Sequence, residues 1–326
     1  MARSRPRRGI VLVVVLAVLL GGGLELSRWF GPGPLGRDAS FTVPEGTTLA
    51  RLATRLEQAH AVRSADSFRL RARVLGGGGD IKAGEFLLPK GASEREILAI
   101  VEGDEVLRRF VTVPEGMPAI MVFDRLNAVN TLSGGIAVPA EGSILPDTYE
   151  VSKDEPRAAV LARMQAAMKK ALAEEWARRA PGLVVKTPEE ALTLASIVEK
   201  ETGKPAERTM VAGLYANRLR IGMPLQADPT IIYPITRGKP LGRRILRSEI
   251  RAVNDYNTYS MAGLPKGPIT NPGRASIAAV LHPAQTKALY MVADGTGGHA
   301  FADTLEQHNA NVAKWMAIRR QRGEVQ

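Results

Sequence analysis

The sequence predicts an α+β protein with an amino-terminal membrane segment. Helix patterns and short strand patterns mix along its 326 residues without regular β-α-β alternation, and this mixing is typical of the α+β class. A composition of 45% hydrophobic and 24% charged residues is that of a folded chain, and the length allows two or three cores. Cysteine is absent, which excludes disulfides and thiolate chemistry.

The first 30 residues are predicted to anchor the chain in a membrane. Four arginines stand in the first eight residues, and residues 9–24 carry no charge. This pattern is typical of a membrane segment whose flanking arginines stay in the cytoplasm. The uncharged run is short of the ~20 residues of a typical span, although Trp29 and Phe30 extend its apolar character. A cleaved signal peptide is the alternative, but no clean A-x-A site follows. We therefore expect a single-pass inner-membrane protein with a periplasmic C-terminal domain.

Four parts are predicted along the chain: an anchor over 1–30, a linker over 31–39, a small α+β module over 40–106 and a larger domain over 107–326. The linker is rich in proline and glycine. The glycine run at 76–79 is predicted to be a flexible loop, because no Lys-Ser/Thr follows it as in a phosphate loop. Within the module, Ser93 and Glu96 form a possible capping box at the start of a helix.

Two similar passages begin the small module and the larger domain. The first reads FTVPEGTTLARLATRL from Phe41, and the second reads VTVPEGMPAIMVFDRL from Val111. Each predicts a short strand, a Pro-Glu-Gly turn and an amphipathic helix, since proline fixes its own backbone and glycine allows a positive φ. Coincidence in a common strand-turn-helix unit is the alternative.

The larger domain continues with mixed elements. A strand is expected within 141–151 and helices over 155–179 and from Thr187, where Thr-Pro-x-Glu is typical of a helix start. The run at 230–233 is β-prone and is expected beside a loop that carries Gln226 and Asp228. A hairpin is expected over 289–301 because Asp-Gly and Gly-Gly supply its turn.

The helix from Thr187 ends in two carboxylates, Glu199 and Glu201, separated by one lysine. Its apolar residues recur at helical spacing, and the next step of three or four residues reaches Glu201. Glu199 is turned by roughly 200° from Glu201, so it is expected to face solvent. A glutamate on an apolar face stays protonated near neutral pH and can donate its proton. The alternative, which periodicity alone favours, is a frayed helix end where Glu201 reaches water.

Polar side chains in the loops that follow are those a sugar site uses, since amides, hydroxyls and tyrosine rings bind sugar hydroxyls and faces. For any single one of them, turn chemistry alone is the alternative. Metal binding is not expected, because the four histidines lack HExxH spacing. The candidate substrate-binding residues are Asn217, Gln226, Asp228, Tyr256, Asn257 and Thr258.

Together, these motifs resemble the YceG-like endolytic murein transglycosylases. The matching stretches are ASIVEKET, NRLRIGMPLQADPTIIY, YNTY with GLP, PGRAS, HPA and LYMVADGTGGHAF. The resemblance implies cleavage of peptidoglycan glycan strands between MurNAc and GlcNAc, with Glu201 as the catalytic glutamate and no cofactor. It also implies a LysM-like fold for the small module. The partners expected are peptidoglycan strands, inner-membrane lipid and cell-wall synthases, and not nucleic acid.

Three functional alternatives remain open from the sequence. In a lytic transglycosylase, Glu201 alone protonates the glycosidic oxygen and then deprotonates the C6 hydroxyl, giving a 1,6-anhydro ring; Gln226, Asp228 and Tyr256 are candidates for stabilising the transition state. In a muramidase-type hydrolase, Glu201 works with a second carboxylate, Asp228 or Asp255. In a non-catalytic scaffold, the small module binds glycan without cleavage.

Overall fold

The computed structural model describes residues 6–76 and 79–324. The chain divides into two compact units, one ending at Arg109 and the other beginning at Phe110. Both units mix helices with short strands, in agreement with the predicted α+β class. The first five residues of the predicted basic tip, and Gly77 and Gly78 of the predicted flexible loop, lie outside the described residues.

The first unit is built on one antiparallel strand pair and the helices around it. Phe41 on the first strand stands opposite Phe86 on the second, and both side chains enter a core with Trp29 and Phe68. Its elements are α1 (Pro6–Phe30), β1 (Ala39–Val43), α2 (Leu49–Gln58), α3 (Ala65–Leu75), β2 (Gly84–Leu88) and α4 (Glu94–Glu102).

Side-chain caps begin three of these helices. Thr48 accepts a hydrogen bond from the backbone of α2, and Ser64 does the same for α3. At α4 the predicted capping box is confirmed, since Ser93 Oγ accepts from the Glu96 N–H and Glu96 Oε2 accepts from the Ser93 N–H at 2.8 Å. These bonds satisfy amide groups that the first turn of a helix leaves unpaired.

The predicted membrane anchor is wrong. Across residues 6–76 and 79–324, no helix combines the length and the apolar character needed to cross a membrane. The uncharged run of α1 falls short of the ~20 residues of a span, and the turns after it belong to the first unit: Trp29 is 1% exposed, and Glu25 Oε2 accepts from Arg71 Nη1 at 2.5 Å. The expected single-pass location with a periplasmic C-terminal domain is corrected with it.

The second unit has two short strand pairs and a group of packed helices. The elements are β3 (Arg109–Val113), α5 (Ala119–Asn127), β4 (Asp147–Val151), α6 (Arg157–Ala177), α7 (Pro188–Glu201), α8 (Arg208–Arg220), α9 (Asp228–Thr236), α10 (Arg247–Ile250), α11 (Arg274–Leu281), β5 (Tyr290–Ala293), β6 (His299–Ala302) and α12 (Leu305–Gln321). A 3₁₀ turn (Pro205–Glu207) joins α7 to α8. β3 pairs with β4, and β5 pairs with β6 in an antiparallel hairpin, so the predicted hairpin is confirmed.

The main core of this unit lies where α7, α8 and α11 pack together. Leu194 and Ile197 of α7, Leu214 of α8 and Ile277 of α11 are at most 1% exposed and belong to one cluster. Because α7 is enclosed along most of its length, its C-terminal residue is held in a fixed place. A second cluster around β3, α5 and α6 includes Val122.

The run at 230–233 is helical, which corrects the strand propensity read from its sequence. Asp228 and Pro229 open α9, and both residue types favour the first turn of a helix. The Thr230 hydroxyl donates to the Ala227 carbonyl at 2.6 Å. Thr230 and Ile231 are both buried, so tertiary packing overrides the local strand propensity of the run.

Arg71→Met in α3 is expected to destabilise the first unit by about 3–5 kcal/mol, since it leaves the buried Glu94 carboxylate without its partner. Arg71 donates to Glu94 through Nε and Nη2, both at 2.7 Å, and both side chains are under one-tenth exposed. The check is hydrogen exchange of amides in α3 and α4. The matched control is Arg69→Met, whose partner Asp66 is 88% exposed, with an effect of less than about 0.5 kcal/mol. Equal effects of the two variants would contradict the prediction.

Candidate active site

Glu201 is the last residue of α7 and continues the face that this helix buries. The residue is partly buried, and its Oε1 is fully enclosed with no hydrogen-bond partner among the described residues. The hydroxyl of Tyr215, from α8, acts to lower the pKa of this carboxyl group. The prediction that Glu201 lies on the apolar side of the helix is confirmed.

A cavity of about 210 Å³ opens at this carboxyl group. Its walls come from α8, the loop before α9, the first residue of α9 and both strands of the β5–β6 hairpin. The lining residues are Glu201, Leu214, Tyr215, Arg218, Leu225, Gln226, Asp228, Tyr259, Met291, Val292, Ala293 and His299. The other ionisable residues of this lining are Tyr215, Arg218, Asp228, Tyr259 and His299.

The surroundings of Glu201 favour its neutral form. Burial, together with the negative charge of Asp228, raises the pKa of Glu201 to about 7, while the Tyr215 hydroxyl and the Arg218 charge oppose the shift. A large part of the Glu201 population therefore carries a proton near neutral pH. This is the state that a general acid needs.

Arg218 supplies a fixed cation to the cavity. Its Nε donates to the Leu289 carbonyl and its Nη1 to the Leu225 carbonyl, both at 2.7 Å, and the residue is 8% exposed. These bonds tie α8 to the hairpin and to the loop before α9. Burial lowers the pKa of Arg218, but an arginine remains charged in a protein.

Asp228 and Tyr259 form a hydrogen-bonded pair in the same wall. The Tyr259 hydroxyl donates to Asp228 Oδ1 at 2.6 Å. Burial and the neighbouring carboxylate raise the pKa of Tyr259, so the hydroxyl stays a donor. Tyr259 therefore holds one carboxylate oxygen of Asp228, and Asp228 lines the same cavity as Glu201.

His299 is held in the cavity wall by Glu207. The His299 Nδ1 lies 2.8 Å from Glu207 Oε2, and the His299 N–H donates to Glu207 Oε1 at 3.0 Å. A Cβ atom at Gly298 would lie 2.2 Å from Glu207 Oε1, so a larger residue there would displace the Glu207 carboxylate from this position. Burial alone would raise the pKa of Glu207, but the hydrogen bonds from His299 and Thr202 lower it.

The predicted substrate-binding residues separate into two groups. Gln226 and Asp228 line the cavity with Glu201. Asn217 lies outside that lining and donates to the carbonyls of Thr286 and Ala288 at 2.8 and 3.1 Å. Its contacts hold the segment that precedes β5.

Three neighbours in the YNTY stretch also lie outside the cavity lining. Asn257 is fully buried and donates to three carbonyls between Glu249 and Ala252. Thr258 Oγ1 accepts from the Ala227 N–H at 3.0 Å, which fixes the loop that carries Gln226. The ring of Tyr256 packs against that of Tyr233, with 4.7 Å between centroids.

Glu199 is not the solvent-facing residue that helical phase predicts. Its side chain is 6% exposed, and its Oε2 accepts from the Gly273 N–H at 2.9 Å and the Ser276 hydroxyl at 2.7 Å. Its Oε1 lies 3.6 Å from Arg208. The correction has a tertiary cause, because α11 begins against this side of α7 and encloses a position that an isolated helix would expose.

Four ionisable residues of the cavity wall are absent from the sequence predictions: Tyr215, Arg218, Tyr259 and His299. Tyr215 fits the apolar face of α8 and looks like an ordinary core residue. Tyr259 and His299 stand in stretches whose turn chemistry explains them equally well. Their signal in the sequence is weak because a hydrogen-bonded pair between distant segments has no spacing rule.

The structure offers no metal centre within residues 6–76 and 79–324, where no group of three or more His, Asp or Glu side chains is arranged to hold an ion. The cavity brings together the Glu201 carboxyl group, a carboxylate–tyrosine pair, a cation and an imidazole. Such a set suits proton transfer.

Two curated relatives are similar to this chain over most of its length. The endolytic murein transglycosylase of Bacillus subtilis is 26% identical, over 89% of this chain and 89% of that protein. The endolytic murein transglycosylase of Streptococcus pneumoniae D39 is 28% identical over 94% of this chain, which spans 64% of the pneumococcal protein.

A solved structure and a family profile complete the comparison. The crystal structure of a yceG-like protein from Listeria monocytogenes superposes with a TM-score of 0.51 and 24% identity, covering 84% of this chain and 98% of that one; this likeness supports the fold alone. The profile of the YceG-like family matches residues 41–314. The predicted family is therefore confirmed, and the chain belongs to the YceG-like family.

Proposed function

We propose that this protein is a peptidoglycan lytic transglycosylase in which Glu201 serves as both general acid and general base. The observation that carries the proposal is the enclosed Glu201 carboxyl group, whose pKa lies at about 7 in a cavity lined by polar groups. The names of the two relatives, both endolytic murein transglycosylases, support the reaction class.

In the first step, protonated Glu201 donates its proton to the glycosidic oxygen between MurNAc and GlcNAc. The bond from that oxygen to C1 of MurNAc breaks, and positive charge develops on C1 and the ring oxygen. The carboxylate of Asp228, fixed by Tyr259 at 2.6 Å, lies in the same cavity and stabilises this charge. Because its orientation is set before the reaction, little reorganisation is needed in the transition state.

In the second step, the Glu201 carboxylate removes the proton of the C6 hydroxyl while O6 attacks C1. A 1,6-anhydro ring forms, Glu201 regains its proton, and no water is consumed. The Tyr215 hydroxyl acts to lower the pKa of Glu201, so it stabilises the anion between the two steps. One carboxyl group thus performs both proton transfers.

Hydrolysis is the second candidate function. The structure favours Asp228 over Asp255 as its second carboxylate. A hydrolase uses a second carboxylate as nucleophile or base, and Asp228 lines the same cavity as Glu201. Asp255 lies outside the lining, with its Oδ2 3.0 Å from the ammonium of Lys266. Glycan binding by the LysM-like module and association with cell-wall synthases stay predictions.

Glu201→Gln is expected to lower the release of 1,6-anhydro muropeptides by at least about 10³-fold, because glutamine cannot transfer a proton. The measurement is mass spectrometry of soluble products from purified peptidoglycan. Asp255→Asn is the matched control, since this carboxylate is exposed and lies outside the cavity. Near-normal release by Glu201→Gln would remove Glu201 from its proposed role.

The stability of the chain is expected to fall as pH rises because of Glu201. Its folded pKa is about 7, against ~4.3 in an unfolded chain, so its contribution to stability is full below pH ~4 and is lost by pH ~7. The free energy of unfolding of Glu201→Gln is therefore expected to exceed that of the wild type by about 3–4 kcal/mol at pH 8, and by little at pH 4. Urea unfolding at both pH values is the check, and a difference independent of pH would contradict it.

Cleavage in H₂¹⁸O is expected to separate the two candidate reactions. A transglycosylase forms the anhydro ring from the sugar's own O6, so its products carry no label. A muramidase adds one labelled oxygen at C1 of each new reducing end. Labelled reducing ends from the wild-type enzyme would favour hydrolysis.

Asp228→Asn is expected to slow the release of products by about 10- to 100-fold, because the charge stabilisation of the transition state is lost. The products are expected to keep their 1,6-anhydro ends.

A further inference from the structure

A second cavity, of about 460 Å³, lies beside the candidate active site in the second unit. Two of its lining residues, Lys200 and Pro229, are the chain neighbours of Glu201 and Asp228. The C-terminal end of α7 and the N-terminal end of α9 therefore contribute to both cavities. A ligand whose scissile bond lies at Glu201 needs to extend only past these helix ends to reach the second cavity.

The second Pro-Glu-Gly turn forms one wall of this cavity. The Gly116 N–H donates to the Asn271 carbonyl at 3.0 Å, and Asn271 Nδ2 donates to the Met117 carbonyl at 2.8 Å. Asn271 is fully buried, and Glu115 Oε2 accepts from Arg208 at 2.9 Å. The wall is therefore fixed by hydrogen bonds to α8 and to the segment before α11.

The lining of this cavity is aliphatic. Its side chains include Met117, Pro118, Met121, Ile232, Leu241 and Ile269, and none of the described residues that line it is aromatic. Sugar faces are usually covered by aromatic rings, so this lining does not favour a pyranose. Methyl groups of a short peptide fit an aliphatic surface of this kind.

The charges around the cavity favour an anion. Lys239 Nζ lies 2.7 Å from Asp124, and Glu115 is paired with Arg208, so these charges are compensated within the fold. Lys200 is exposed, and among the described residues that line the cavity it is the cation left to pair with a ligand. A carboxylate held there would form a partly exposed ion pair.

We propose that this cavity binds the acidic peptide stem of the peptidoglycan strand, an inference that rests on the proposed transglycosylase function. The stem is attached through the lactyl ether of MurNAc, the sugar whose C1 reacts at Glu201. It is short, rich in alanine methyl groups and carries carboxylates, which matches an aliphatic groove with one available lysine. The contact makes Lys200 a specificity-determining residue that distinguishes stem-bearing strands from bare glycan.

The test compares two substrates, glycan strands that keep their stems and strands from which an amidase has removed them. The wild-type enzyme is expected to show a kcat/KM about 3- to 10-fold higher on stem-bearing strands, the range of one partly exposed ion pair with some apolar contact. Lys200→Met is expected to bring this ratio close to one, and Lys200→Arg to preserve most of it. Lys169→Met, an exposed lysine of α6 outside the cavity, is the matched control with an unchanged ratio.

The ratio separates this role from an indirect effect on the neighbouring Glu201, because both substrates use the same carboxyl group. A wild-type ratio of one, or a loss of kcat/KM in Lys200→Met that is equal for both substrates, would overturn the proposal. Cleavage of bare glycan with no stem preference would leave the transglycosylase function intact and reject the stem site alone. If neither substrate is cleaved, the transglycosylase function and the stem site are both rejected.

Discussion

An enclosed carboxyl group at the end of an apolar helix is the constraint around which the second unit is arranged. Burying Glu201 is unfavourable for its ionised form, and the fold accepts this because α7 is packed between α8 and α11 along its apolar side. The Tyr215 hydroxyl and the Arg218 charge partly offset this cost. The same helices that create the cost therefore also hold the group in one position.

Polar contacts then fix α7 relative to the segment before α11. The Ser196 hydroxyl accepts from the Ile269 N–H at 3.0 Å, and Glu199 accepts from Gly273 and Ser276. Asn271 bridges this segment to the backbone of Ile144 at 3.0 Å. The two glutamates of the E-K-E element consequently have different tasks, since Glu199 orders the surroundings while Glu201 faces the cavity.

Local signals in the sequence predicted most of the elements, and non-local contacts account for the errors. The capping box at Ser93 and the hairpin turn depend on residues close in sequence, and both are confirmed. Helical phase correctly put Glu201 on the buried side of α7. It failed for Glu199, because phase cannot show that α11 covers the opposite side of the helix. The run at Thr230 became a helix through burial, and Trp29 entered a core that a hydropathy pattern does not reveal.

The two Pro-Glu-Gly turns have the same local form in different surroundings. In each turn the residue after glycine donates to the proline carbonyl, at 3.3 Å from Thr47 and 3.2 Å from Met117, and both glycines have φ near +70°. A Cβ at Gly46 would meet open space, whereas one at Gly116 would lie 3.5 Å from Glu199. The first copy therefore shows this turn with no side chain packed at its glycine, whereas the second copy shows the same turn closely packed against the C-terminal end of α7.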